Sequence, residues 1–217
     1  MDTINSGNIA GLFDAFHATF QDKRDELIAL DAKVGDSDLG ITMNSAFEAA
    51  SNTISGMSNE PLGKQFKMAG AAMAKAAPST MGTLTATGFM RGGKAIDDAD
   101  AIGTLEMAVF WRAYTDGIAE RGKARLGDKT VLDVLEPIAT SLESSAAGNA
   151  SLVEAVVAAS NAAQAALEAT KGLVAQHGKA AAFAEKSKGF QDAGGTVAFL
   201  LIETVARFVK GSATSQQ

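Results

Sequence analysis

Apolar residues recur every three or four positions along most of the chain, which is the spacing of one face of an α-helix. The spacing is clearest near the start, where Ile9, Leu12, Phe13, Phe16 and Phe20 fall on one face. No alternation typical of a strand is long enough to predict a sheet. The pattern predicts eight helices: residues 8–30, 41–55, 61–77, a segment ending near 96, 103–121, a segment beginning at 130, 151–170 and 193–209.

Polar, glycine-bearing segments separate these helices, and residues 172–191 are mixed in character and interrupted by glycine. A proline- or serine-rich linker between two folding units is not visible in the sequence. The sequence therefore predicts one all-α domain of about eight helices that spans residues 1–217.

Composition supports helices. The 217 residues include 43 alanines but only three prolines, and 47% of the chain is apolar. Alanine favours helices and allows them to approach closely, whereas strands prefer the aromatic and β-branched residues that are scarce here. The absence of cysteine excludes disulfides and thiolate metal sites.

Charge and hydropathy indicate where the protein works. A net charge of −6 offers no general attraction to nucleic acid or to an anionic membrane. The N-terminal residues do not resemble a signal peptide, and apolar runs stay below the ~18 residues needed to span a bilayer. We expect a soluble, cytoplasmic protein with neither nucleic acid nor membrane as a partner.

Three aspartates, Asp31, Asp36 and Asp38, lie close together after the first predicted helix, with Gly35 between the first and second. Asp36 and Asp38 point the same way in an extended segment, and a turn at Gly35 can bring Asp31 back to them. Clustered carboxylates resist joint ionisation unless a cation joins them, and oxygen ligands suit Mg²⁺ or Ca²⁺. The alternative is a solvated acidic turn before a helix. The EF-hand pattern does not fit, because the later ligands are missing.

Three later loops also open helices. Residues 127–133, with Gly122 five positions before Gly127, imitate a phosphate-binding P-loop. Asp128 interrupts the motif and no buried strand precedes it, so a helix-capping box of Thr130 and Asp133 is the better interpretation. Residues 78–84 fit either a phosphate-binding helix start or an ordinary serine or threonine cap. In residues 189–196, Asp192 is positioned to cap the last helix.

The two histidines, His17 and His177, stand apart from these motifs. Both are expected to be surface residues, so the sequence does not support a serine–histidine–aspartate triad or a zinc site.

In this order, the four loops resemble the nucleotide-binding subunit of dihydroxyacetone kinases, the DhaL or Dak2 type. That family carries an Asp four residues before a Gly-Asp-x-Asp-His-Gly-x-Asn-Met motif, and residues 31–43 match it with Leu39 at the histidine position. Residues 78–84, 121–130 and 179–194 correspond to the remaining family loops. The resemblance extends over essentially the whole chain.

The resemblance implies a barrel of eight antiparallel helices, with an adenine nucleotide, ADP or ATP, bound at one end through two Mg²⁺ ions. The implied magnesium ligands are Asp31, Asp36 and Asp38. The residues implied to surround the nucleotide are Leu39, Gly40, Ile41, Thr42, Thr80, Met81, Gly122, Val131, Lys179, Asp192, Ala193 and Gly194.

Several family residues are replaced here. The histidine that would face phosphate is Leu39, the asparagine is Thr42, the arginine near the nucleotide is Lys179, and the proline after Asp192 is Ala193. Lysine keeps the charge of arginine but lacks its bidentate fork. The carboxylates are retained while secondary contacts change, which suggests a divergent member with a different substrate, a weaker grip on nucleotide, or lost activity.

Three hypotheses follow. In the first, the chain is a kinase subunit that phosphorylates a small ketose held by a separate DhaK-like subunit. It would use ATP directly or a bound ADP recharged by a DhaM-like phosphocarrier of the phosphotransferase system. The sequence leaves open whether the subunit forms a homodimer.

In the second, the chain is a regulatory module that binds magnesium and nucleotide without transferring a phosphoryl group. In the third, it is a helical interaction protein with an acidic cap, which the three retained aspartates disfavour.

Overall fold

Nine α-helices account for most of residues 3–214, the part of the chain that the computed structural model describes, with side chains up to residue 211. The helices are Ile9–Asp22 (α1), Arg24–Asp31 (α2), Leu39–Ile54 (α3), Leu62–Ala76 (α4), Thr80–Ala95 (α5), Thr104–Gly122 (α6), Leu132–Ala147 (α7), Leu152–Ala169 (α8) and Ala193–Thr214 (α9). Two short antiparallel strands, Ile4–Asn5 (β1) and Ala101–Ile102 (β2), pair with each other. Two 3₁₀ segments, Thr170–Gly172 and Lys179–Ser187, lie between α8 and α9.

The eight long helices form a closed ring. Helix α1 packs against α3, each later helix packs against the next in the chain, and α9 returns to α1. Consecutive helices of the ring run in opposite directions, and most of the connections between them are short, although a longer segment joins α8 to α9. The prediction of an all-α barrel of about eight antiparallel helices is confirmed. None of the helices within residues 3–214 has the length and apolar character needed to cross a membrane.

Small residues allow neighbouring helices of the ring to approach closely. A Cβ added to Gly88 would lie 2.5 Å from the Tyr114 ring, and one added to Gly70 would lie 2.7 Å from the carbonyl oxygen of Ala86. On the other side of the ring, α8 presents the fully buried Ala155, Ala159 and Ala163. Alanine and glycine therefore bring the helix axes together where a larger side chain would separate them.

Aromatic rings fill the interior of the barrel. Phe89 lies at the centre, with its ring centroid within 6.1 Å of six other aromatic rings. The void among these rings and their aliphatic neighbours measures only about 20 Å³. A space of that size admits about one water molecule, so a ligand must bind at an end of the barrel rather than inside it.

The prediction of one helix over residues 8–30 was wrong, because the chain breaks at Lys23 into α1 and α2. A continuous helix would place residues 23 and 24 on the apolar face that ends at Phe20, and those residues are Lys23 and Arg24. The break lets α2 leave the ring and pack onto the first turn of α3. The strand pair was also not predicted, since two residues are too few to show an alternation.

Phe89→Ala tests whether the aromatic interior stabilises the barrel. Removing a buried phenylalanine from a packed site costs about 3–5 kcal/mol, so the free energy of unfolding in urea should fall by that amount. Phe183→Ala is the matched control because Phe183 is 39% exposed, and it should change stability by less than about 0.5 kcal/mol. Similar losses in the two variants would show that the core does not depend on Phe89.

Candidate functional site

A cleft of about 920 Å³ opens at one end of the barrel. Because the helices alternate in direction, α3, α5, α7 and α9 begin at this end, while α2, α4 and α6 end there. Twelve of the fifteen residues predicted from the sequence line the cleft: Asp31, Asp36, Asp38, Leu39, Thr80, Met81, Gly122, Val131, Lys179, Asp192, Ala193 and Gly194.

The other three predicted residues, Gly40, Ile41 and Thr42, do not line the cleft. Gly40 is buried against α2, where an added Cβ would lie 2.0 Å from the carbonyl oxygen of Arg24. Ile41 is 49% exposed on the surface, and Thr42 is buried. Gly40 therefore has a packing role, since it lets α2 lie directly on α3 and so places Asp31 beside the start of α3.

The three aspartates form a compact cluster. Asp31, Asp36 and Asp38 each contribute a carboxylate oxygen to a group in which all distances are within 4.8 Å. Gly35 makes room for the cluster, because a Cβ there would lie 2.0 Å from Oδ1 of Asp31. Three oxygen ligands at this separation suit a hard divalent cation such as Mg²⁺. The three aspartates are therefore as close together as the sequence predicted, although the segment is not extended as expected, because Ser37 has a φ of 67° and Asp38 is in the α-helical region.

Asp31 also stabilises the start of α3. Its Oδ2 accepts hydrogen bonds from the backbone N–H groups of Asp38 at 3.1 Å and Leu39 at 3.4 Å. These groups belong to a helix start, where N–H groups lack partners within the helix. One carboxylate thus contributes both to the cluster and to the cap of the helix that carries Asp38.

Side chains cap the starts of α5 and α9, as the sequence indicated. Oγ of Ser79 accepts from Gly82 N at 3.1 Å at the start of α5, and Oδ2 of Asp192 accepts from Gly195 N at 2.6 Å at the start of α9. Before α7 the predicted capping box of Thr130 and Asp133 is only half formed. Oδ2 of Asp133 accepts from Thr130 N at 2.8 Å, but Oγ1 of Thr130 accepts from Leu132 N at 3.3 Å instead of from Asp133 N. The positive end of the α3 dipole therefore lies at the acidic cluster itself, and those of α5, α7 and α9 lie elsewhere around the same cleft, an arrangement that favours an anion bound between them.

Residues 173–190, here called the strap, border the cleft between α8 and α9. The strap carries Lys179, whose ammonium forms an ion pair with Asp36, and His177, whose Nε2 lies 2.9 Å from Oδ2 of Asp128. At its end, the Phe190 ring lies 5.4 Å from Nζ of Lys33. The strap therefore connects the acidic loop with the loop that precedes α7.

Asp192 has an unusual protonation equilibrium. Burial raises the pKa of its carboxyl to about 7, and the charges of Asp133 and Asp31 act in the same direction. The hydrogen bond from Gly195 N and the charge of Lys129 oppose this rise. A buried carboxyl at the edge of an acidic cluster thus holds its proton close to neutral pH.

Residues 33–207 of the chain match the model of the DAK2 domain. The chain belongs to the DAK2 domain family. The resemblance inferred from the four loops is therefore confirmed, over a match that includes most of the chain and all of the cleft-lining residues except Asp31.

Curated relatives agree with this assignment. The DAK2 domain is 31% identical over 191 residues to the ADP-binding subunit DhaL of the PEP-dependent dihydroxyacetone kinase of Escherichia coli, covering 88% of this chain and 91% of that protein. It is 34% identical to a D-erythrulose kinase of Mycolicibacterium smegmatis, where the match covers 91% of this chain but 34% of the larger enzyme.

Solved structures show the same fold. The DAK2 domain superposes on the dihydroxyacetone kinase of C. freundii in its native form with a TM-score of 0.72 at 24% identity, covering 95% of this chain and 35% of that one. The TM-score is 0.70 at 25% identity for the C. freundii enzyme in complex with AMP-PNP and Mg²⁺, which this chain matches over 34% of its length.

Sequence reasoning missed several cleft residues of the DAK2 domain, among them Ser79, Arg121, Lys129, Thr130 and His177. The helix-cap signals at Ser79 and Thr130 could have placed both at the same end of an alternating barrel. Lys129 was not predicted, because the segment that carries it does not fit the P-loop motif. His177 had no local signal, because its partner Asp128 is 49 positions away.

Asp31→Ala and Asp36→Ala should separate the two roles of the acidic loop. In the absence of divalent metal, Asp31→Ala should lower the free energy of unfolding by about 1 kcal/mol, because the start of α3 loses its cap. Asp36→Ala loses an exposed ion pair with Lys179 and should cost at most about 0.5 kcal/mol. Urea unfolding in EDTA measures both, and equal losses would contradict the capping role of Asp31.

The Asp192 carboxyl should make stability depend on pH. Its folded pKa of about 7 lies above the unfolded value of ~3.9, so its contribution is full below about pH 4 and is lost as pH rises through 7. Asp192→Asn keeps an N-cap oxygen without a titrating group. The stability of the wild type relative to this variant should fall by up to about 1.4 kcal/mol per pH unit in that window.

Urea unfolding between pH 4 and 8 provides the measurement, and Asp25→Asn is the control because the Asp25 side chain is 88% exposed. Parallel pH profiles for the wild type and Asp192→Asn would show that Asp192 does not titrate in this range.

Proposed function

We propose that this DAK2 domain binds a magnesium complex of ADP or ATP in the cleft. In this proposal it serves as the nucleotide-binding subunit of a small-ketose kinase. The observation that carries the proposal is that the cluster Asp31, Asp36 and Asp38 shares a cleft of about 920 Å³ with the starts of α5, α7 and α9. That volume is within the range of small-molecule sites. Similarity to a relative named as an ADP-binding subunit, and to a structure determined with AMP-PNP and Mg²⁺, supports the choice of ligand.

Each part of the cleft has a chemical task in this proposal. The three aspartates would hold magnesium, two ions by analogy with the family, which would neutralise phosphate charge next to the carboxylates. The starts of α5, α7 and α9 would bind phosphate oxygens through backbone N–H groups. Lys179 would add a positive charge from the strap. The apolar wall formed by Leu84, Ile118 and Leu132 would accept the base.

Transfer of the phosphoryl group requires a second component in this proposal. Phosphoryl transfer depends on positioning and charge stabilisation more than on covalent catalysis, and the cleft supplies both for the donor. The acceptor, a small ketose such as dihydroxyacetone or erythrulose, would be held by a DhaK-like subunit docked at the mouth of the cleft. The names of the curated relatives support this class of substrate. The nucleotide would be ATP, or an ADP recharged by a phosphocarrier protein.

A regulatory binding module is the second candidate. Leu39 supports it, because this residue takes the place of the family histidine and is itself only 4% exposed. A buried leucine provides no hydrogen bond to phosphate, so the site lacks one donor that transfer would use. This candidate keeps magnesium and nucleotide binding and loses the chemistry.

Calorimetric titration with ADP and ATP, with and without Mg²⁺, tests the binding that both candidates require. We expect binding only with Mg²⁺, and at ~100 Kd of ligand the stability should rise by about 2.7 kcal/mol, measurable as a higher Tm. Asp36→Asn should weaken binding by roughly tenfold or more, since a charged partner of the ligand is lost. Asp25→Asn should bind like the wild type, and an absence of heat with every nucleotide would refute both candidates.

Reconstitution with a DhaK-like subunit separates the two candidates. The kinase subunit predicts formation of sugar phosphate from ATP, or from a phosphocarrier donor with ADP bound. The regulatory module predicts magnesium-dependent nucleotide binding without product under either condition.

A further inference from the structure

Lys129 is a buried cation without a carboxylate partner in ion-pair contact in the described part of the chain. Its residue is 3% exposed, and its Nζ donates to the carbonyl oxygens of Leu173 at 3.1 Å, Ser187 at 2.7 Å and Phe190 at 2.7 Å. An ammonium has three N–H donors, and these three carbonyls use all of them. Although Lys129 borders the cleft, it has no donor left for a phosphate.

The backbone conformation of Lys129 is unfavourable for a lysine, which indicates that its side chain has a specific role. Lys129 has a φ of 58°, in the left-handed region that glycine and asparagine adopt more readily than lysine. Because the ammonium is removed from water, burial also lowers the pKa of Lys129. Backbone strain and desolvation both make a lysine unfavourable at this position. The hydrogen bonds from its ammonium to the three carbonyls explain why a lysine is nevertheless found here.

Those carbonyls all belong to the strap, which has little apolar anchoring of its own. Ala175 and Ser187 are its only buried residues, and the rest of residues 173–190 are partly or fully exposed. Hydrogen bonds to residues outside the strap hold it instead, from Gln176 N to Asp128 O at 2.9 Å and from Gly189 N to Lys171 O at 2.8 Å, while Ala175 N donates to Ser187 Oγ at 2.9 Å within the strap. A segment attached in this way opens at a low free-energy cost when one anchor is lost.

We propose that Lys129 is a positioning residue of the nucleotide site, which holds the strap, and with it Lys179, at the edge of the cleft. The proposal rests on the function proposed above. Lys129 binds both ends of the strap, residues 173 and 187–190, while Lys179 lies between them and reaches Asp36 of the acidic loop. Nucleotide affinity therefore depends on Lys129 through Lys179, without contact between Lys129 and the ligand.

Lys129→Met removes the ammonium and keeps much of the side-chain length. Hydrogen–deuterium exchange of residues 173–190 should become faster by at least roughly tenfold, because hydrogen bonds to a charged group are lost. Exchange in α4, α5 and α6 should not change. Lys186→Met is the matched control, since Lys186 is an exposed lysine of the same strap, and it should leave exchange and nucleotide affinity as in the wild type.

The affinity for Mg–ADP tests the positioning role. Lys129→Met and Lys179→Ala should each weaken binding, by roughly tenfold, and the double variant should be little weaker than either, because both changes remove the same contact. Lys129→Arg keeps a charge but has a planar fork that cannot direct three donors from one nitrogen, so intermediate exchange and affinity are expected. If Lys129→Met does not fold, the arginine variant provides both measurements.

Three results would overturn the proposal. Unchanged strap exchange in Lys129→Met and Lys129→Arg would show that the lysine does not hold the strap. Additive losses of affinity in the double variant would show that Lys129 acts independently of Lys179. Absence of Mg–ADP binding by the wild type would refute the proposed function as well, whereas normal binding by Lys129→Met with an open strap would refute the positioning role alone.

Discussion

The three carboxylates at the cleft end of the barrel repel one another, and the arrangement of the surrounding groups depends on compensating this repulsion. Asp31, Asp36 and Asp38 lie within 4.8 Å of one another, and the protein alone compensates only part of their charge. Asp31 accepts hydrogen bonds from two backbone N–H groups at the start of α3 and Asp36 pairs with Lys179, while the starts of α5, α7 and α9 lie in the same cleft. Burial raises the pKa of Asp192 to about 7, and the charges of Asp133 and, to a smaller extent, Asp31 act in the same direction. A divalent cation with a bound phosphate would complete this balance.

The filled interior of the barrel explains why the site lies at an end. Aromatic rings around Phe89 leave a void of about 20 Å³, so the ring of helices serves as a rigid support rather than a container. Helices that alternate in direction bring every second N-terminus to one end, where their dipoles add. The same ring that excludes a ligand from the core thus concentrates positive potential at the cleft, in a protein whose net charge is −6.

Lys129 lies in a segment that resembles a P-loop, but its side chain binds a different group from the one that a P-loop lysine binds. In a P-loop the lysine contacts phosphate directly, whereas here the three donors of Lys129 bind carbonyls of the strap. Gly40 is a second example. It belongs to the acidic motif, but it packs against the backbone of Arg24 and does not face the cleft. Residues of a shared motif therefore include some that face the cleft and others that position those residues.

The sequence by itself determined most of the helices, the caps at Ser79 and Asp192, and the proximity of the three aspartates, because each depends on residues a few positions apart. The break at Lys23 was also encoded locally, in two basic residues at positions where a continuous helix needed apolar ones. Tertiary structure alone decided that Ile41 and Thr42 lie outside the cleft and that Lys129 reaches carbonyls 44 to 61 positions away. Those contacts exist only after the ring of helices has closed, and no short-range periodicity in the sequence records that closure.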